Sequence, residues 1–63
     1  MIRSFYSFLV PGQIVSHPQC PEWGAGQVQS VVENRVTVNF EHKGKVLVDI
    51  SRIDLDVISS PDL

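Results

Sequence analysis

The chain of 63 residues has one cysteine, Cys20, so it cannot staple itself with a disulfide. That absence matters at this length. A domain of roughly 60 residues buries only about 60% of its unfolded surface, and small domains compensate with disulfides, a metal, oligomerisation or a larger partner. Basic residues are also few. Arg3, Arg35, Lys43, Lys45 and Arg52 are scattered along the chain, and the net charge is −2. Phosphate-backbone binding needs clustered Lys and Arg, so nonspecific nucleic-acid binding is disfavoured and a protein partner suits the charge better. Apolar runs are short, as in Phe8-Leu9-Val10, far below the roughly 20 residues that span a bilayer. The opening Met1 to Val10 carries one positive side chain and an apolar patch. It is too short and too aromatic for a secretory signal, and no Ala-x-Ala-like cleavage site follows. The expectation is a mature protein of the reducing cytoplasm, with no membrane span.

What the chain does have is a string of short apolar–polar alternations separated by turn residues. Pro11-Gly12 is a turn dipeptide, and Gln13 to His17 reads as a strand that Pro18 ends. Pro18, Cys20, Pro21 and Glu22 make a stiff loop, and Gly24 and Gly26 suit a bulge or a close backbone crossing. A second strand runs over 26–32, with Val28, Ser30 and Val32 on one face and Gln27, Gln29 and Val31 on the other. Glu33-Asn34 is a two-residue hairpin loop in which Asn34 tolerates positive φ. The third strand, 35–41, alternates cleanly: Val36, Val38 and Phe40 inward, Arg35, Thr37 and Asn39 outward. After a turn at His42-Lys43-Gly44, a fourth strand over 45–50 points Val46, Val48 and Ile50 inward. Ser51 to Asp54 can form one helical turn capped by Asp49 or Ser51, and 55–58 is a fifth short strand. The pattern predicts an all-β domain, a small five-stranded SH3-like (Tudor-like) barrel over 11–58 with a short helical turn before the last strand. Residues 1–10 form an aromatic lead-in that either covers the barrel or offers a handle to a partner; 59–63 form a frayed polar tail.

The residues of the central stretch resemble a known family. Pro11-Gly12, Val15 and His17-Pro18; Trp23-Gly24, Gly26, Val28 and Ser30; and Val36, Val38, Phe40-Glu41-His42 and Gly44-Lys45 match a family of short alphaproteobacterial proteins of unknown function. Through Gly12, Val15, His17, Gly24, Gly26, Val28, Val38, Phe40 and Gly44-Lys45 the chain is also similar, more distantly, to the SH3-like, Tudor-like tail domain of UvrD-type helicases. CarD-type polymerase-binding domains share the same general barrel. The resemblance implies docking onto RNA polymerase during transcription-linked DNA repair. The chain departs from that group in having no helicase body, and in Trp23, where the helicase tails commonly carry Phe-Gly or Tyr-Gly.

The residues that could carry chemistry have bland alternatives. His17 and Cys20 are three apart, near zinc-ligand spacing, and His42 could join them, but a structural zinc site needs four ligands and only Glu22 or Glu41 could complete it. Cys20 beside a histidine could act as nucleophile and base, yet no motif supports an activated thiol and so small a domain has little room for a deep pocket. No enzyme activity and no cofactor are expected. Trp23 is either core or an interface anchor, with Phe5 and Tyr6 as companions. Glu41, His42 and Lys43 crowd one turn, and polar residues on a turn held by a rigid scaffold suit a contact patch. The expected binding residues are His17, Trp23, Glu41, His42, Lys43 and Lys45, in a non-catalytic protein-binding module. A nucleic-acid-binding barrel and a small structural zinc domain are the alternatives.

Overall fold

The computed structural model describes residues 9–61. The aromatic lead-in over 1–8, with Phe5 and Tyr6, and the last two residues of the tail lie outside it. Five strands form one antiparallel sheet: β1 (Ile14–Ser16), β2 (Gly26–Val32), β3 (Arg35–Phe40), β4 (Gly44–Asp49) and β5 (Asp56–Ser59), in the spatial order β4-β3-β2-β1-β5. The all-β class follows the alternation in the sequence. The closed barrel does not. β4 and β5 stand at opposite ends of the sheet, which stays open. The cause lies in strand length. β2, β3 and β4 form a meander of six- and seven-residue strands, whereas β1 has three residues; its ladder to β2 is Ile14–Gln27 and Val15–Gly26, continued just before it by Gly12 N–H to Val28 C=O and Val28 N–H to Gln13 C=O. So short a link does not carry β5 round to β4.

One face of the sheet holds the core: Val15, Val28, Val36, Val38, Phe40 and Val48, closed over by Leu9 and Leu55 from the flanking segments. Each such side chain, fully buried, contributes about 1.5–3 kcal/mol. Trp23, Val31, Val46, Ile50 and Ile53 pack around this cluster, half-buried.

The alternation in β2 does not run straight through. Val28 faces Val38, but Ser30 faces Thr37 and Val31 faces Val36, so one extra residue sits in β2 between Val28 and Ser30. A bulge of this kind moves every later side chain to the other face. Val31 therefore turns toward the core and Val32 is 64% exposed, reversing the expected grouping of Val28, Ser30 and Val32. In the hairpin loop the positive φ falls on Glu33 (53°), not on Asn34.

The segment after β4 makes a single hydrogen-bonded turn that does not continue into a helix. Arg52 N–H and Ile53 N–H both donate to Asp49 C=O at 3.0 Å, while Ser51 donates its N–H (3.0 Å) and hydroxyl (2.6 Å) to Asp49 Oδ1. Asp49 is thus the cap. These hydrogen bonds hold its carboxyl below the ordinary aspartate range, the Ser51 hydroxyl first and its N–H second, helped by Arg52 and Arg35. At the other end, buried Gln13 ties the two flanks of the domain together. Its Oε1 accepts from Val10 N–H, and its Nε2 donates to Ser60 Oγ, both at 3.0 Å. The chain is therefore held beyond 58, with Ser59 inside β5.

Candidate functional site

The 17–24 loop and the 41–43 turn meet at one end of the sheet. His17 follows β1 and is buried; its Nδ1 accepts from Gln19 N–H at 3.1 Å, which fixes the ring's orientation. Cys20 N–H donates to His17 C=O, Trp23 N–H to Cys20 C=O and Gly24 N–H to Pro21 C=O. The last two close a 3₁₀ turn over Pro21–Trp23. The stiff loop read from the sequence is in fact this turn. Its signal is Pro21, whose missing N–H and fixed φ suit the first helical position. The turn ends at Gly24 with φ 78° and ψ −167°, a conformation open essentially to glycine alone.

The backbone then locks the two loops together. His42 N–H donates to Trp23 C=O at 3.0 Å, and Glu41 N–H donates to Ala25 C=O at 2.9 Å. Trp23 lands half-buried on the Phe40 ring, centroids 5.2 Å apart, with the His17 ring edge-on to it at 4.9 Å and 64°. Lys43 Nζ sits 5.3 Å from the Trp23 ring centroid on an exposed turn, within reach of a cation–π attraction. His42 Nε2 and Glu41 Oε1 approach to 3.9 Å, both side chains largely exposed. Gly26 makes the packing possible, since a Cβ there would stand 2.5 Å from Val38 Cγ1 and 2.6 Å from Phe40 Cδ1.

Five of the six expected residues are thus gathered: His17, Trp23, Glu41, His42 and Lys43. Lys45 is not among them; it faces Asn39 across the exposed side of the sheet. Trp23 resolves as both core and surface, one part against Phe40 and another beneath Lys43. A shallow depression of about 440 Å³ lies beside the corner, bordered by Ile14, Gln27, Asn39 and Glu41. Among the described residues, Glu41 is the single titratable group lining it. Among the described residues, no three His, Cys, Asp or Glu side chains gather to hold a metal. His17, Cys20 and His42 with either glutamate form no such set, and His17 Nδ1 is taken by Gln19. Nor is any helix among the described residues long and apolar enough to cross a membrane.

The fold and this corner define a small all-β domain with an aromatic cluster set at the junction of two loops. Residues 9–58 match the family described as Protein of unknown function (DUF3553), and the chain belongs to that family. No curated protein and no solved structure matches the chain.

Proposed function

We propose that this domain is a non-catalytic protein-binding module that docks through the Trp23 corner. One observation carries the reading. The only tryptophan of the chain is held rigid by His17 and Phe40 while remaining half exposed, ringed by the polar side chains of Glu41, His42 and Lys43. A preorganised aromatic anchor with a polar rim is the arrangement that concentrates binding energy at protein interfaces. The resemblance to the tail domain of UvrD-type helicases supports RNA polymerase as the partner to test first, and a cytoplasmic role in transcription or DNA repair.

The test is a titration of isotope-labelled domain with RNA polymerase subunits, read by amide shifts. Shifts confined to 17–24 and 41–43, and affinity lowered about tenfold or more by Trp23→Ala, are expected. Silence at both loops would overturn the reading. Equal shifts with an oligonucleotide at low salt would replace it with a nucleic-acid one.

A further inference from the structure

The outer edge of β4 is a strand without a neighbour among the described residues. It is six residues long, contains no proline and pairs with β3 without a bulge. Its sequence is Gly44-Lys45-Val46-Leu47-Val48-Asp49. Lys45, Leu47 and Asp49 share the exposed face, Leu47 at 63% exposure, and Val46 and Val48 share the core face. This strand reads the same against itself. Let two copies meet antiparallel with Leu47 opposite Leu47. Lys45 of each then faces Asp49 of the other, and Val46 of each faces Val48 of the other. Opposite residues in an antiparallel pair lie on the same face of the sheet, so both cores stay on one side and the axis between the copies is a two-fold.

The backbone fits the same register. Ile50 N–H donates to Asn34 C=O on the β3 side. By alternation, the even residues of β4 turn their peptide groups toward β3 and the odd ones toward the open edge. Leu47 therefore presents both N–H and C=O outward. Asp49 presents only its N–H, because its C=O is occupied by Arg52 and Ile53. The ladder would hold four bonds: two reciprocal Leu47 bonds, and one from each Asp49 N–H to Lys45 C=O of the other copy. Other registers are worse. A slip of two residues sets Lys45 against Leu47, or Leu47 against Asp49. A slip of four sets Lys45 against Lys45, or Asp49 against Asp49. A slip of one turns the core face of one copy to the outer face of the other.

We propose that the β4 edge binds a second copy of this chain through this one register, joining two sheets into one. The occupant is a second copy because the charge order Lys–Leu–Asp complements its own reverse. A 63-residue chain with no disulfide within it also stands to gain from such a partner. The edge starts at Gly44, directly after the 41–43 turn, but its pairing residues Lys45, Leu47 and Asp49 are not part of the Trp23 cluster, and neither proposal depends on the other. One strand against one strand is a small interface, so the dimer is expected in the range of about 10 μM to 1 mM.

Sedimentation equilibrium of the full chain over that range tests it, with Trp23 fluorescence reporting that each variant is folded. Lys45→Glu and Asp49→Lys should each weaken self-association by about tenfold or more, since two cross-strand pairs turn repulsive. Mixing those two variants should restore association, because every cross-strand pair between unlike copies then joins opposite charges. Leu47→Lys, which leaves the Asp49 turn intact, should weaken it likewise. A wild-type chain still monomeric near 1 mM overturns the proposal, including one whose Leu47 amide exchanges slowly because its own chain covers the edge. A dimer indifferent to Lys45→Glu and Leu47→Lys overturns it as well.

Discussion

The two ends of the β2–β3–β4 meander are built by different physics. At the Trp23 end, rings pack on rings, Gly26 sits where no Cβ fits, and Gly24 holds a backbone conformation that other residues rarely adopt. At the opposite end, the Glu33-Asn34 loop and the Asp49 turn are exposed and held by hydrogen bonds: Ile50 to Asn34, and Ser51, Arg52 and Ile53 to Asp49. A packed end has no slack, because interiors are as dense as organic crystals and volume errors are felt at once. A hydrogen-bonded end at the surface is forgiving, because water replaces what a substitution removes. The first kind of construction suits a surface that must keep its shape for a partner. The second suits a connection.

That contrast breaks most sharply at Gly26. Gly26→Ala drives a methyl group into Val38 and Phe40, and Phe40 carries Trp23. Overpacking of this sort costs about 1–3 kcal/mol, occasionally more, which approaches the whole stability of a domain this small. Chemical denaturation should show a midpoint far below wild type, with Trp23 emission altered in whatever remains folded. A near-neutral result would mean that the ring stack is loose, and the packed end would lose its distinction. Gly24→Ala follows. Its backbone conformation alone should cost about 1–3 kcal/mol, since the Glu41 and His42 side chains crowding the new methyl can swing away. With no core overlap added to it, the loss should fall toward the lower end of that range, below that of Gly26→Ala, read by the same denaturation.

At the hydrogen-bonded end, the counterpart is Asp49. Its carboxyl is held below its ordinary range in the folded state, chiefly by the Ser51 hydroxyl and then the Ser51 N–H. A depressed carboxyl adds stability above its unfolded value and loses that stability as pH falls through the folded one. Asp49→Asn should lower the urea midpoint modestly near neutral pH. Below about pH 4 the gap between variant and wild type should shrink, because the wild-type side chain protonates there too. A gap that stays constant with pH would show that Ser51 holds the turn without the charge.

Most of the sheet was legible because its signals are local. Val36, Val38 and Phe40 alternate without interruption, and β3 faces inward as that period requires. Three features were not legible, and each depends on a nonlocal fact. The bulge in β2 is invisible in Val28-Gln29-Ser30-Val31-Val32, since either valine suits the core and only the pairing with β3 selects Val31. The openness of the sheet depends on how far β1 runs, and His17 remains buried after β1 has ended at Ser16. At the corner, the sequence pointed to His17, Trp23, Glu41, His42 and Lys43 by residue type. It could not exclude Lys45, which the alternation already puts on the outer face; only the register, which sets Lys45 opposite Asn39, separates it from the corner.

The smallest expected effect is a gain, and it falls at the forgiving end. Glu33 holds φ 53° in the hairpin loop, a left-handed conformation that costs a residue with a side chain about 1–2 kcal/mol. Glycine adopts it freely, though it gives up about 0.5–1 kcal/mol through the greater freedom of its unfolded chain. Glu33→Gly should therefore stabilise by about 0.5 kcal/mol, seen as a small rise in the denaturation midpoint with the slope unchanged. The same glycine logic that makes Gly24 costly to replace makes Glu33 improvable. The difference is that an exposed two-residue loop tolerates this strain without disturbing any packed neighbour. A loss of stability in Glu33→Gly would place an unrecognised contact of the Glu33 side chain at this end, and the hydrogen-bonded end would prove less forgiving than its exposure implies.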